Sequence, residues 1–146
     1  MRIPQSALPI LIEQEIYFID EYKLRSAPRY AGGITRSLDG VQSLKCDCTL
    51  FSTYERDYCQ SKPVPLLSIA GLWCAKQALA KTLIGRLNFD QFTYLDIEIR
   101  HHDSGQPRAI LYNSLAEWFE QQNLAIEVSI SHTKTLAAAI ILLYPN

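Results

Sequence analysis

The chain has 146 residues, 48% hydrophobic and 20% charged, enough apolar side chains for one packed core and too many for a disordered or low-complexity chain. Fourteen Lys and Arg face fifteen Asp and Glu, a formal net charge of -1, which excludes bulk electrostatic attraction to nucleic acid or anionic lipid. The longest apolar run, residues 136–144, is about half of the roughly 20 residues that a membrane-spanning helix needs, and Pro4, Pro9 and Glu13 break up the N-terminal apolar stretch, so no bilayer crossing and no export signal are expected. A cytoplasmic address follows by default.

In chain order, residues 1–60 are poorly periodic. Residues 16–19 read as strand or helix, Gly32-Gly33 and Asp39-Gly40 as turns, and Ser52 with Glu55 as a capping box that opens a short helix ending before Ser61-Lys62-Pro63. Pro65 then opens a long helix to about residue 84, with Gly85 as its stop. Nearly every face of it is apolar, which predicts a central, buried helix. Its few polar positions are therefore informative: Gln77 and Lys81 share a face with Trp73, while Lys76 projects about 100° away.

Residues 93–99 alternate, with Leu95, Ile97 and Ile99 expected on the core face and Tyr94, Asp96 and Glu98 on the other. A turn over residues 103–107 leads to a second strand at 108–112 and completes a hairpin. Ser114 and Glu117 form a second capping box, opening a helix that ends near Gln122 with Leu115, Trp118 and Phe119 facing the core. Residues 125–131 and 136–144 close the chain as a hairpin with a polar tip. The order helix, hairpin, helix, hairpin predicts one α+β domain over residues 1–146, an antiparallel sheet with a long central helix and a second helix packed on one face.

Chemistry has few places to sit. Cys46, Cys48, Cys59 and Cys74 lack zinc-ribbon spacing and read as reduced, inert thiols. Ser131 and His132 are strand neighbours that point to opposite faces, a poor arrangement for a nucleophile and its base. Three polar elements remain: the helix face with Gln77 and Lys81, the hairpin tip with Ser104, Gly105 and Gln106, and the strand end with Ser131, His132 and Thr133. A lysine on a buried helix needs a partner, which a phosphate would supply, or else it reaches the surface along its stem.

The run Ala70-Gly71-Leu72-Trp73-Cys74-Ala75-Lys76-Gln77-Ala78-Leu79-Ala80-Lys81 resembles the signature helix of the 4'-phosphopantetheinyl transferases, in particular the small holo-acyl-carrier-protein synthases. Three further blocks agree in order: Phe51 to Glu55 with Tyr58-Cys59, residues 96–99 with 103–107, and residues 129–133 with 137–139. The resemblance spans roughly residues 49–144, leaving residues 1–48 as a divergent N-terminal part. It implies transfer of the phosphopantetheine arm of coenzyme A to a serine of an acyl carrier protein, with magnesium on the pyrophosphate. Lys81 and Gln77 would then act at the reaction, and Lys76, Lys81, Ser104, Gly105, Gln106, Ser131, His132 and Thr133 would bind coenzyme A.

Three positions depart from the family: Leu72 stands where many relatives carry a basic residue after the glycine, and the other two concern the metal. Gln77 stands where the family has a metal-binding glutamate, and an amide oxygen is a weaker ligand for magnesium than a carboxylate. The family's second metal ligand, the aspartate of an N-terminal Gly-x-Asp, is replaced by Thr35, with Asp39 and Asp20 as alternatives. These departures keep a second reading open, a non-catalytic paralogue acting as an interaction or assembly subunit. The resemblance further implies a homotrimer with sites between subunits; the competing expectation is a monomer whose apolar surface is covered by the first forty residues.

Overall fold

The computed structural model describes residues 11–18 as backbone, and residues 48–134 and 136–146 in full. The turn signals at Gly32-Gly33 and Asp39-Gly40, Cys46, and the candidate metal ligands Asp20, Thr35 and Asp39 lie outside the described residues. The elements, in order, are β1 (Leu11–Phe18), α1 (Thr53–Gln60), α2 (Pro65–Lys81), β2 (Ile97–His101), β3 (Pro107–Leu111), α3 (Asn113–Gln121), β4 (Leu124–His132) and β5 (Leu136–Pro145). This is the α+β architecture expected from the sequence.

The antiparallel strands form two sheets among the described residues rather than one. One has the order β1-β5-β4; the other is the β2-β3 hairpin, whose strand β3 lies alongside β4 without pairing with it. The stretch left open as strand or helix belongs, as far as Phe18, to β1, which pairs with β5 from Leu11 opposite Leu143 to Phe18 opposite Leu136. β5 is therefore the middle strand. Its alternate residues Ala137, Ala139, Ile141 and Leu143 are buried under α2.

Small residues let the helix and sheet approach closely. At Gly71 an added Cβ would lie 2.8 Å from Cγ2 of Ile130, a distance that real side chains avoid. Around this crossing Ile69, Leu72, Trp73 and Leu79 are buried in the core, and Trp73 packs edge-on against Phe51 with ring centroids 6.0 Å apart. The thiol of buried Cys74 donates to the Ala137 carbonyl at 3.6 Å, so this cysteine serves packing. Burial pushes the Cys59 thiol up to about 12, where it stays protonated and inert.

Local chemistry set three boundaries differently from the sequence expectation. The long helix ends at Lys81 and continues as one wide turn, Thr82–Arg86, in which the Leu87 amide donates back five residues to the Thr82 carbonyl at 3.1 Å. Gly85 thus lies inside this turn and is not the helix stop. The strand expected from residue 93 begins at Ile97, because Thr93 and Asp96 close a short 3-10 turn over Tyr94–Asp96, with the Thr93 amide donating to the Asp96 carboxylate at 2.9 Å. This turns Leu95 out of the core and exposes it. α3 opens at Asn113 with no side-chain cap, so the expected Ser114–Glu117 box does not form; Asn113 instead donates to Asp96 at 2.7 Å. The Ser52–Glu55 box does form, with both reciprocal bonds present.

Candidate functional site

Among the described residues, the side chains suited to chemistry fall into three groups. The first is a buried ion pair. Glu55 at the third position of α1 does more than cap the helix: its Oε1 accepts from the Ser52 amide at 2.9 Å and lies 2.6 Å from Lys76 Nζ, while its Oε2 accepts from the Ile99 amide at 3.0 Å. Lys76 Nζ also donates to the carbonyls of Leu50 at 2.5 Å and Tyr94 at 3.0 Å, and both charged side chains have 0% exposure. Burial pushes the Glu55 carboxyl up and the Lys76 ammonium down, each opposed by its partner's charge and hydrogen bonds. The expectation that Lys76 binds coenzyme A is therefore corrected: its ammonium is enclosed in protein, with each of its three donors engaged by a protein oxygen.

The second group lines an open cleft of about 140 Å³, where the N-terminal half of α2 meets the hairpin tip and the end of β4. Ser68, Gly71 and Leu72 form its helix wall, with Tyr58, His101, Gly105, Ile130 and His132 around it. The Tyr58 and His101 rings stack face to face, 3.9 Å apart at 5°, with Lys62 Nζ 4.6 Å from the Tyr58 centroid. Burial, reinforced by the Lys62 charge, holds the His101 imidazole below its ordinary value and favours the neutral ring. The hairpin tip is a tight loop. Gly105 donates to the His102 carbonyl at 2.8 Å with φ of 89°, a left-handed conformation that suits glycine.

The structure thus brings His132 and Gly105 together, with Ser104 and Gln106 exposed beside Gly105 on the same tip. Ser131 is exposed on the opposite face of β4, as strand alternation requires. Thr133 is occupied in the β4-β5 turn: its amide donates to the Leu136 carbonyl at 2.8 Å and its Oγ1 accepts from the Leu136 amide at 3.1 Å. Tyr58, Ser68 and His101 line the cleft without being expected there: Tyr58 stands only in a block of the family resemblance, His101 reads in the sequence as a solvated hairpin-end histidine or, with His102 and Asp103, a metal ligand, and Ser68 carries no sequence signal.

The third group is Gln77 and Lys81. The helix face that carries Trp73 emerges from the core, so Trp73 is buried, Gln77 half-buried and Lys81 exposed. Lys81 reaches the surface, as one of its two expectations held. Ten residues of helix, about 15 Å, separate Gly71 in the cleft wall from Lys81, so within one chain these groups occupy different ends of α2. Among the described residues no cluster of three or more His, Cys, Asp or Glu side chains could hold a metal ion. The described donor set at this position is the single neutral amide of Gln77, which by itself does not fit magnesium.

On the outer face of the hairpin, Glu98 was expected to be exposed, yet it is 6% exposed because Tyr112 and Arg100 cover it. Burial raises its pKa, but hydrogen bonds from Ser52, Arg100 and Tyr112 outweigh this and hold it below the ordinary 4.5. A carboxylate depressed in the folded state contributes stability above its unfolded pKa and loses it as pH falls through the folded one. Urea titrations from pH 6 to pH 3 are therefore expected to show a steeper loss of stability for the parent than for Glu98→Gln. Equal slopes would remove Glu98 from the acid response.

Among the described residues, no helix is long and apolar enough to cross a membrane. Residues 46–140 match the family model of the 4'-phosphopantetheinyl transferase superfamily. The chain is similar to a holo-[acyl-carrier-protein] synthase of Verminephrobacter eiseniae, 38% identical over 78 residues, covering 52% of this chain and 58% of that protein. It is also similar to the synthase of Caldicellulosiruptor saccharolyticus, 37% identical over 91 residues, covering 62% and 72%. The chain thus spans about three-fifths of the length of the first of these relatives. A solved "Chronobacterium ammoniagenes ACPS-CoA complex" has the same fold, with a TM-score of 0.67 at 19% identity over 95% of this chain and 99% of that one. The Helicobacter pylori holo-[acyl-carrier-protein] synthase in complex with coenzyme A agrees at 0.60 and 21%, over 91% and 99%. The long helix across a three-stranded sheet, the hairpin beside it and the matched residues have one common origin: the chain belongs to the 4'-phosphopantetheinyl transferase superfamily.

Proposed function

We propose that this chain transfers the 4'-phosphopantetheine arm of coenzyme A to a serine of an acyl carrier protein. The observation that carries this reading is the cleft formed by His132, Gly105, Ser68 and the His101–Tyr58 stack against one end of α2, the helix whose other end presents the exposed lysine Lys81. In phosphoryl transfer, catalysis consists mainly of positioning and charge neutralisation. Lys81 is assigned to the phosphate under attack; His132 and the tip residues Ser104, Gly105 and Gln106 hold the nucleotide portion, with Ser131 and Thr133 at its margin. Cleft and lysine lie about 15 Å apart along one helix, which supports a site completed by a second copy. The homotrimer is the form we assign to that assembly. Light scattering at micromolar concentration is expected to return three times the mass of 16.6 kDa; a monomer mass would remove the shared site.

The direct test is mass spectrometry of an apo acyl carrier protein incubated with the chain, coenzyme A and magnesium. Gain of the arm is expected; no gain, together with no heat on titration with millimolar coenzyme A, would overturn the reading. Gln77 favours a second reading, a non-catalytic paralogue that serves as an interaction subunit. It predicts an inert parent in which Gln77→Glu switches transfer on.

A further inference from the structure

The Glu55–Lys76 pair has no part in the chemistry described above, yet five separate segments converge on it. Lys76 belongs to α2 and Glu55 to α1. The ammonium also binds Leu50, ahead of α1, and Tyr94, where the chain returns after leaving Lys81; the carboxylate also binds Ile99 in β2. Lys76 immediately precedes Gln77, and Tyr94 closes the loop of residues 82–93 that begins directly after Lys81. The same loop is pinned midway by Phe89, which stacks on Trp118 of α3 at 4.5 Å and on Phe92 at 6.2 Å.

Buried ion pairs contribute little net stability compared with well-packed apolar side chains, because desolvation of the two charges offsets their attraction. What a pair with this many directional bonds supplies is a fixed geometry. We propose that Lys76 and Glu55 are positioning residues for the transfer reaction, holding the helical turn of Gln77 and the loop after Lys81 in one fixed relation to the β2-β3 hairpin. The inference rests on the transferase reading. Neither residue touches substrate; both act through Gln77, Lys81 and the loop.

Lys76→Met alone leaves an uncompensated buried carboxylate and is a poor probe. The double variant Glu55→Gln/Lys76→Met removes both charges and keeps one side-chain oxygen that can accept from the Ser52 or the Ile99 amide. It is expected to fold with the parent's circular dichroism spectrum, to lose at least tenfold in kcat with KM for coenzyme A within twofold, and to exchange amide hydrogens over residues 82–93 at least tenfold faster. Parent-like kcat together with parent-like exchange would overturn the inference. Equal losses in kcat/KM through KM alone would also overturn it, since that pattern belongs to binding. A parent without transfer activity would defeat the functional reading instead, and unchanged exchange over residues 82–93 would then still overturn the clamp.

Discussion

Lys76→Met is expected to lower the free energy of unfolding by about 3–5 kcal/mol, the usual cost of removing one partner from a fully buried ion pair. The cost has little to do with the attraction lost. It comes from Glu55, which would remain at 0% exposure with its charge facing Ser52 and Ile99 alone, and from the carbonyls of Leu50 and Tyr94, which would lose their donor. Urea denaturation at pH 7 measures the effect. The double variant with Glu55→Gln is expected to recover the part of the loss that comes from the stranded charge, while the carbonyls of Leu50 and Tyr94 still lack the Lys76 donor. A single variant within about 0.5 kcal/mol of the parent would show that the site admits water or relaxes freely, contrary to its enclosure.

Lys81→Ala is expected to leave stability within about 0.5 kcal/mol of the parent, since the side chain is exposed at the end of its helix. Its effect on transfer should be large. Removing one charged donor from a site that stabilises developing charge typically costs about 10²–10³ in rate. Lys81→Arg keeps the charge and should retain part of the activity, less than the parent because the guanidinium is wider and differently aimed. Carrier-protein modification followed over time reads both variants. A loss below threefold for Lys81→Ala would take Lys81 out of the phosphate contact and return it to the role of a solvated helix end.

Much of the fold was legible in the linear chain. Apolar residues on nearly all faces from Pro65 to about residue 84 announced a buried central helix, and alternation over residues 125–131 announced a strand with Ile126, Val128 and Ile130 on one face, of which Val128 is buried and the other two pack against the core. The capping pattern of Ser52 and Glu55 was readable because both partners of its bonds lie within four residues. The same pattern at Ser114 and Glu117 misled, since Asn113 found a distant partner in Asp96 that no local rule contains. Leu95 misled for a similar reason: the Thr93–Asp96 bond bent the chain before the strand could begin.

The site shows the same division. Residue types and their order determined by themselves the family resemblance, the polar face of Gln77 and Lys81, and the glycine at the hairpin tip, because each of these depends on near neighbours in sequence. Only the tertiary structure decided that Lys76 faces inward to a carboxylate 21 positions earlier, that His101 stacks on Tyr58, and that Glu98 is covered. These outcomes are set by contacts between segments far apart in sequence. A charged side chain has no intrinsic signal that tells a buried pair from a ligand contact, since both answer the same need to compensate its charge, and only the packing of α1, α2 and β2 determined which partner meets Lys76.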